Sequence, residues 1–166
     1  MVLFESTHTR NEAFHKEIYF HHYYKNKFCI VLDILMVVSL LINLLGLVFD
    51  VEPDYTVFVC FVFFVLIQAW SYRRAVKVSM AREREVSSNG EIMYTVAVCD
   101  NTITHKSSIG SEYTIEFSSI KKAYTTKNYI VLQSVAKQLY ILKKDGFAIG
   151  NCEDFLIFLR GKGYKV

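Results

Sequence analysis

The sequence has no arrangement of residues that a known catalytic chemistry requires. GxSxG, HExxH, GxGxxG and P-loop patterns are all missing. Each of those patterns exists because a nucleophile, a zinc ion or a phosphate must be met by several groups at fixed spacing. Without them, the expectation is a non-enzymatic protein that needs no cofactor. Cysteine is equally uninformative as chemistry: Cys29, Cys60, Cys99 and Cys152 include no CxxC pair and no other ligand spacing, so free thiols in a reducing compartment are expected. Charge of one sign is also scarce. A net charge of +3 over 166 residues is too slight to argue for nucleic acid.

Histidine pairs four apart are absent as well. His8, His15 and His22 recur every seven residues with His21 adjacent, but positions seven apart on a helix lie about 10 Å apart along the axis, too far to share one ion. No metal site is expected, and these histidines are read as surface or interfacial side chains. His105, which has no obvious Cys or carboxylate partner nearby in sequence, is likewise read as a surface residue.

Two stretches lack a polar face. Residues 28–49, FCIVLDILMVVSLLINLLGLVF, and 55–72, YTVFVCFVFFVLIQAWSY, are 22 and 18 residues long, interrupted in polarity chiefly by Asp33, Ser39, Asn43, Thr56 and Gln68. As helices they would reach about 33 and 27 Å, against a hydrocarbon core of about 30 Å. A soluble core helix of that length shows polar residues at helical spacing. The reading is therefore two membrane spans joined by the acidic turn DVEPD, forming an antiparallel hairpin over 28–72. An apolar fraction of 52% with 21% charged residues fits a chain that places a quarter of itself in lipid.

Basic residues set the orientation. Lys16, Lys25 and Lys27 precede the first span and Arg73, Arg74, Lys77, Arg82 and Arg84 follow the second, whereas the connection carries Asp50, Glu52 and Asp54 and no cation. Short flanks rich in Lys and Arg stay cytoplasmic, so both termini are expected inside the cell, in a multi-pass protein of the inner (plasma) membrane. No cleaved leader is expected, because a largely polar arm precedes the first apolar run. Tyr19, Phe20, Tyr23, Tyr24 and Phe28, with Tyr55, Trp70 and Tyr72, suit the headgroup level, where a ring is apolar and its hydroxyl wet.

Polar groups inside such spans are functional suspects. Folding the hairpin about Glu52 sets Asp33 opposite Gln68 to Tyr72, so an Asp33 to Gln68 hydrogen bond is expected to staple the two helices, with Asn43 and Gly46 as packing or oligomer contacts. An ion or proton pathway through Asp33 is the sharper alternative, but two helices with one acid offer little polar lining.

The flanking segments divide further. The arm, 1–27, opens with the alternating fragment VLFES, too short to stand alone and in need of a partner strand. From Thr9 to Lys27 the absence of Gly and Pro favours a helix, with Phe14, Ile18 and Tyr19 near one stripe, running into the first span. Residues 73–90 form a basic juxtamembrane linker, in which the second helix continues towards Glu85 and breaks at SSNG, 87–90.

Over 91–166 the period changes to two. Ile92, Tyr94, Val96 and Val98 alternate in EIMYTVAVC, and Asp100-Asn101 reads as a hairpin turn into 102–107. Strands follow over 113–117, 120–126, 129–134 and 138–142. A closing helix starts at Asn151 as N-cap, with Glu153 and Asp154 in its first turn and Phe155, Leu156, Phe158 and Leu159 as its apolar stripe. Six strands and a helix, with VLFES as a seventh strand, are the element count of a pleckstrin-homology-like (PH-like) barrel. An open antiparallel sheet covered by the helix is the conservative form. The fold class is thus a membrane α-helical hairpin plus a small α+β domain capped by a C-terminal helix.

The run FSSIKKAYTTKNYIVLQSVAKQLYILKKDGF, 117–147, followed by EDFLIFLRGKG, resembles the C-terminal domain of the YcxB-like family of bacterial membrane proteins. The layout is similar too: a short arm, two membrane helices and a small domain of PH-like fold. Phe117 and Leu142 stand where the family typically has Trp and Pro, and both keep an apolar residue there. The resemblance implies a fold and a membrane location but no activity.

Lys121, Lys122, Lys127, Lys143 and Lys144 are the strongest binding feature. Against an anionic leaflet they would form a lipid-headgroup or partner surface; otherwise they solvate the sheet and guard its edge. The combined expectation is a cytoplasm-facing interaction or regulatory module on a membrane hairpin, integral to lipid, with a protein partner or a second copy as further contacts. Its rivals are an immunity protein against a membrane-acting or secreted toxin and a small channel or transporter subunit built by oligomerising the hairpin.

Overall fold

A computed structural model describes residues 1–25, 27–49, 52, 54–86 and 92–166. The SSNG break, Glu91, and Asp50 of the acidic turn lie outside the described residues. The chain divides into two compact units, one of His15–Ala81 and one that joins Met1–Phe14 to Arg82–Val166. The arm expected over 1–27 is therefore split: its first fourteen residues group with the C-terminal region, because the opening strand finds its partner there.

The helical unit is built from α1 (Glu12–Tyr24), α2 (Lys27–Val48) and α3 (Tyr55–Val86). Asn11 caps α1, its Oδ1 accepting from the Phe14 N–H at 2.9 Å, and Asp54 does the same for α3 through the Thr56 N–H at 2.9 Å. The helix expected to run from the arm into the first span instead ends at Tyr24, and α2 begins at Lys27. No Gly or Pro marks that end, and the one cue in the sequence is Asn26, a residue type favoured at helix starts. The basic linker does continue α3, a single 32-residue helix about 48 Å long. Both α2 and α3 are long and apolar enough to cross a membrane, and none of their apolar windows is buried within the protein.

The β unit contains eight strands. β1 is Phe4–Thr9, β2 Met93–Val98, β3 Thr102–Ser107 and β4 Glu112–Glu116; a short 3-10 turn at Phe117–Ser119 leads to β5 (Ile120–Thr125), β6 (Tyr129–Ser134), β7 (Leu139–Lys143) and β8 (Phe147–Ile149), and α4 (Cys152–Gly161) closes the chain. They form a five-stranded sheet in the order β4-β3-β2-β1-β8 and a three-stranded sheet β5-β6-β7, with every pairing antiparallel. Among the described residues neither sheet closes on itself, so the architecture is two open antiparallel sheets with a C-terminal helix.

Alternation places the core as expected. Ile92, Tyr94, Val96 and Val98 are buried, and β6 and β7, which read as near-continuous apolar runs, are buried on successive residues and hence on both faces. Phe155 and Leu159 of α4 enter the same cluster, the Phe155 ring lying 5.1 Å from that of Phe4 and 5.8 Å from that of Phe147. Asn151 caps α4 through the Asp154 N–H at 2.8 Å.

β1 occupies an inner position. It pairs with β2 over six residues, Phe4 with Val98 to Thr9 with Met93, and on its other side with β8, a strand that the sequence did not announce. Buried Ser6 ties β1 to the second sheet, its Oγ donating to the Lys143 carbonyl and accepting from the Lys143 N–H, both at 3.0 Å. Gly146 makes this approach feasible: the Thr7 N–H donates to its carbonyl at 2.9 Å, and a Cβ there would run into the Thr7 carbonyl oxygen.

Candidate functional site

Three groups of residues were singled out by the sequence or emerge from the fold. The first is inside the helical unit. Gln68 Nε2 on α3 donates to Asp33 Oδ1 on α2 at 3.4 Å, and Asn43 Nδ2 donates to the Asp54 carbonyl at 3.2 Å. Both contacts cross from α2 to the α3 side of the hairpin, one near each end of the apolar stretch. Asn43 Oδ1 is buried without a partner. Nearby, the Tyr23 and Tyr24 rings lie 6.4 and 5.8 Å from that of Tyr72, whose hydroxyl donates to the Lys16 carbonyl at 3.3 Å.

The second group is the lysine set, which the structure divides. Pairing in β5 skips a residue: Ile120 faces Ser134 and Lys122 faces Gln133, leaving Lys121 as an extra residue in a bulge. Ile120 and Ala123 can then both be buried while Lys121 and Lys122 are exposed together. Lys127 is exposed in the following turn. Lys144 is engaged, its Nζ donating to the Thr126 and Lys127 carbonyls at 2.6 and 3.1 Å, and Lys143 Nζ is 3.1 Å from Asp145 Oδ1. Lys121, Lys122 and Lys127 are thus exposed, while Lys144 is held at the β5–β6 turn and Lys143 pairs with Asp145 in the β7–β8 turn.

The third group was missed. His8 and His105 are not surface side chains; each is 3% exposed, as is His15, whose Nδ1 lies 3.2 Å from Ser79 Oγ. The strand register explains the burial. His8 on β1 sits opposite Tyr94 on β2, and His105 on β3 sits opposite Tyr113 on β4; the first three are buried, and Tyr113, on the edge strand, is exposed. Their rings form a ladder across the strands: Phe14 to His8 at 5.5 Å, His8 to Tyr94 at 5.9 Å, Tyr94 to His105 at 5.2 Å and His105 to Tyr113 at 4.8 Å. Tyr129 and Tyr140, from the other sheet, meet the ladder edge-on.

One cation enters this cluster. The Arg10 guanidinium lies 3.8 Å from the Tyr94 ring centroid and pairs with Glu83 at 3.6 Å. Burial, then Arg10, depress both imidazoles, His8 to about 3 and His105 to about 4. Burial also raises the phenols of Tyr94, Tyr113 and Tyr140. At neutral pH the ladder is made of uncharged rings. With Tyr94 between them the two histidines cannot share an ion, and no group of three metal-binding side chains occurs among the described residues. The alternation that predicted Tyr94 inward contained the missing signal, since VLFESTHT extends the inward set Phe4, Ser6 to His8.

Neither a curated protein nor a solved structure matches the chain. Residues 100–157, which run from the turn before β3 into α4 and make up about a third of the chain, match the family described as YcxB-like protein.

Proposed function

We propose that this chain is a membrane-anchored, non-enzymatic interaction or regulatory module, in which α2 and the apolar part of α3 cross the bilayer and the β unit is a PH-like domain working in the cytoplasm. The observation that carries this reading is the exposure of the apolar side chains on both helices. Leu35, Phe63 and Trp70 are 59, 64 and 60% exposed, and no apolar window of either helix is buried. A single Leu or Phe left in water forgoes about 1.5–3 kcal/mol of burial, and here the deficit repeats along two helices, so lipid is the surrounding that removes it. The Lys and Arg residues at the open end of the hairpin favour both termini inside the cell.

Support for a PH-like domain comes from the element order: a meander of β1 to β4, a second meander of β5 to β7, then, after the short β8 that joins the first sheet, a helix whose Phe155 and Leu159 enter the core. On this reading the Gln68–Asp33 contact is a staple between the spans. Lys121, Lys122 and Lys127 supply a face for anionic headgroups at about 1 kcal/mol each.

The test is extraction from native membranes combined with labelling. The chain should stay with the membrane in alkaline carbonate, enter solution only with detergent, and keep a tag at Val166 inaccessible to an impermeant reagent in intact cells. A chain released by carbonate, or a tag labelled from outside, would overturn the proposal.

A further inference from the structure

The two histidines of the ring ladder have no role in membrane anchoring, and their surroundings are unusual for imidazole. Both ring nitrogens of His8 and both of His105 are buried without a hydrogen-bond partner, as is Arg10 Nε. Five orphaned polar atoms on three neighbouring residues are a large local cost, because a buried polar group without a partner typically costs about 1–3 kcal/mol. What the rings do instead is stack, each nearly parallel to a neighbour: His8 at 23° to Phe14 and 24° to Tyr94, and His105 at 29° to Tyr113. Imidazole here serves as a flat aromatic, which requires it to be uncharged.

We propose that His8 and His105 form a proton-operated latch on β1: uncharged, they hold the end of β1 that carries His8, with Arg10 just beyond it, in the ladder, and a proton on either ring releases that end from the sheet. The groups facing them decide the direction. Arg10 follows the end of β1 and Lys143 lies on β7, so the fixed charges that act most strongly on His8 are cations. Glu83 on α3 is engaged with Arg10, and the other titratable neighbours are the phenols of Tyr94, Tyr113, Tyr129 and Tyr140, of which burial raises Tyr94, Tyr113 and Tyr140 and keeps them uncharged at physiological pH. A proton on either ring, both 3% exposed, would sit beside the Arg10 cation, and no hydrogen bond or ion pair from a described carboxylate to either ring is found.

Burial and Arg10 hold both imidazoles well below 6.5 in the latched form, at about 3 and about 4. In the released form they return to about 6.5. Above that pH neither form binds the proton and the latch is at full strength. As pH falls below it, only the released form takes up protons, so release becomes about tenfold easier per pH unit for each histidine. With both in place the change is about a hundredfold per unit between roughly pH 6 and 5, and it lessens towards pH 4, where the latched His105 itself takes up a proton.

The experiment is amide hydrogen exchange of the full chain in detergent micelles from pH 7.5 to 4.5, with intrinsic rates corrected for pH, reading the opening of β1 and β2. The wild type should show the hundredfold slope, H8F and H105F about tenfold each, and the double variant none, while H22F at an exposed position leaves the slope unchanged. A wild-type slope equal to that of the double variant would overturn the latch. If the phenylalanine variants do not fold, ring titration of the wild type by NMR decides alone. Midpoints below about 4.5 for His8 and His105 sustain the proposal, and midpoints near 6.5 end it.

Discussion

The two units of this protein handle large apolar side chains in opposite ways. Over His15–Ala81, residues such as Leu35, Phe63 and Trp70 point outward; in the β unit, Val96, Leu132 and Phe155 are fully buried. The same residue types thus serve two purposes. In the β unit the protein surrounds them, so their shape must match their neighbours to the density of a packed core. In α2 and α3 they coat the surface, so composition matters and detailed fit does not. A change of residue should therefore be felt strongly in one unit and weakly in the other.

Truncating one aromatic ring in each unit tests that contrast with the largest expected effect. Phe155→Ala removes a ring packed on Phe4 and Phe147 and should cost about 3–5 kcal/mol. Phe63→Ala, at an exposed position, should stay within about 0.5 kcal/mol. Urea unfolding of the full chain in micelles, read by β6 amide exchange for the first and by helical circular dichroism for the second, measures both. Equal costs would erase the distinction.

Next in size is Gly146→Ala, whose Cβ collides with backbone at Thr7 and should cost about 1–3 kcal/mol by the same β6 assay. The lysine face should respond more gently and only in binding. Lys121→Gln with Lys122→Gln should leave unfolding unchanged but lower photo-crosslinking to anionic lipid in nanodiscs by roughly fivefold per lysine. An unchanged lipid yield would reduce those residues to edge solvation. The smallest effect belongs to the hairpin: Gln68→Ala should weaken helix pairing by about 0.6 kcal/mol in a steric-trap assay. A cost as large as that of Phe155→Ala would mean that α2 and α3 are held by specific fit after all.

Much of the local structure could be read directly. The apolar runs became α2 and α3, the alternation in 91–99 became β2 with its inward face, and Asn151 became an N-cap, because each depends on residues within a few positions of one another. The polar contact between Asp33 and Gln68 follows from folding two runs of known length about a short turn. What could not be read was set by strands remote in sequence. The lysines were grouped by charge, yet a bulge exposes Lys121 and a pair of carbonyls captures Lys144. His8 was weighed at helical spacing and His105 by itself, whereas His8 lies in a strand and His105 approaches it through Tyr94 on β2.

The helical course and apolar coat of the two long runs, and the alternation of the strand over 91–99, were determined by the sequence alone, since periodicity and hydropathy belong to each segment wherever it ends up. Which polar groups are sealed from water was decided only by the tertiary structure. Ser6 finds Lys143 across 137 positions, and Thr7 reaches Thr95 across 88. That register turns His8 inward, and no residue near it in sequence could have specified the rings it would meet.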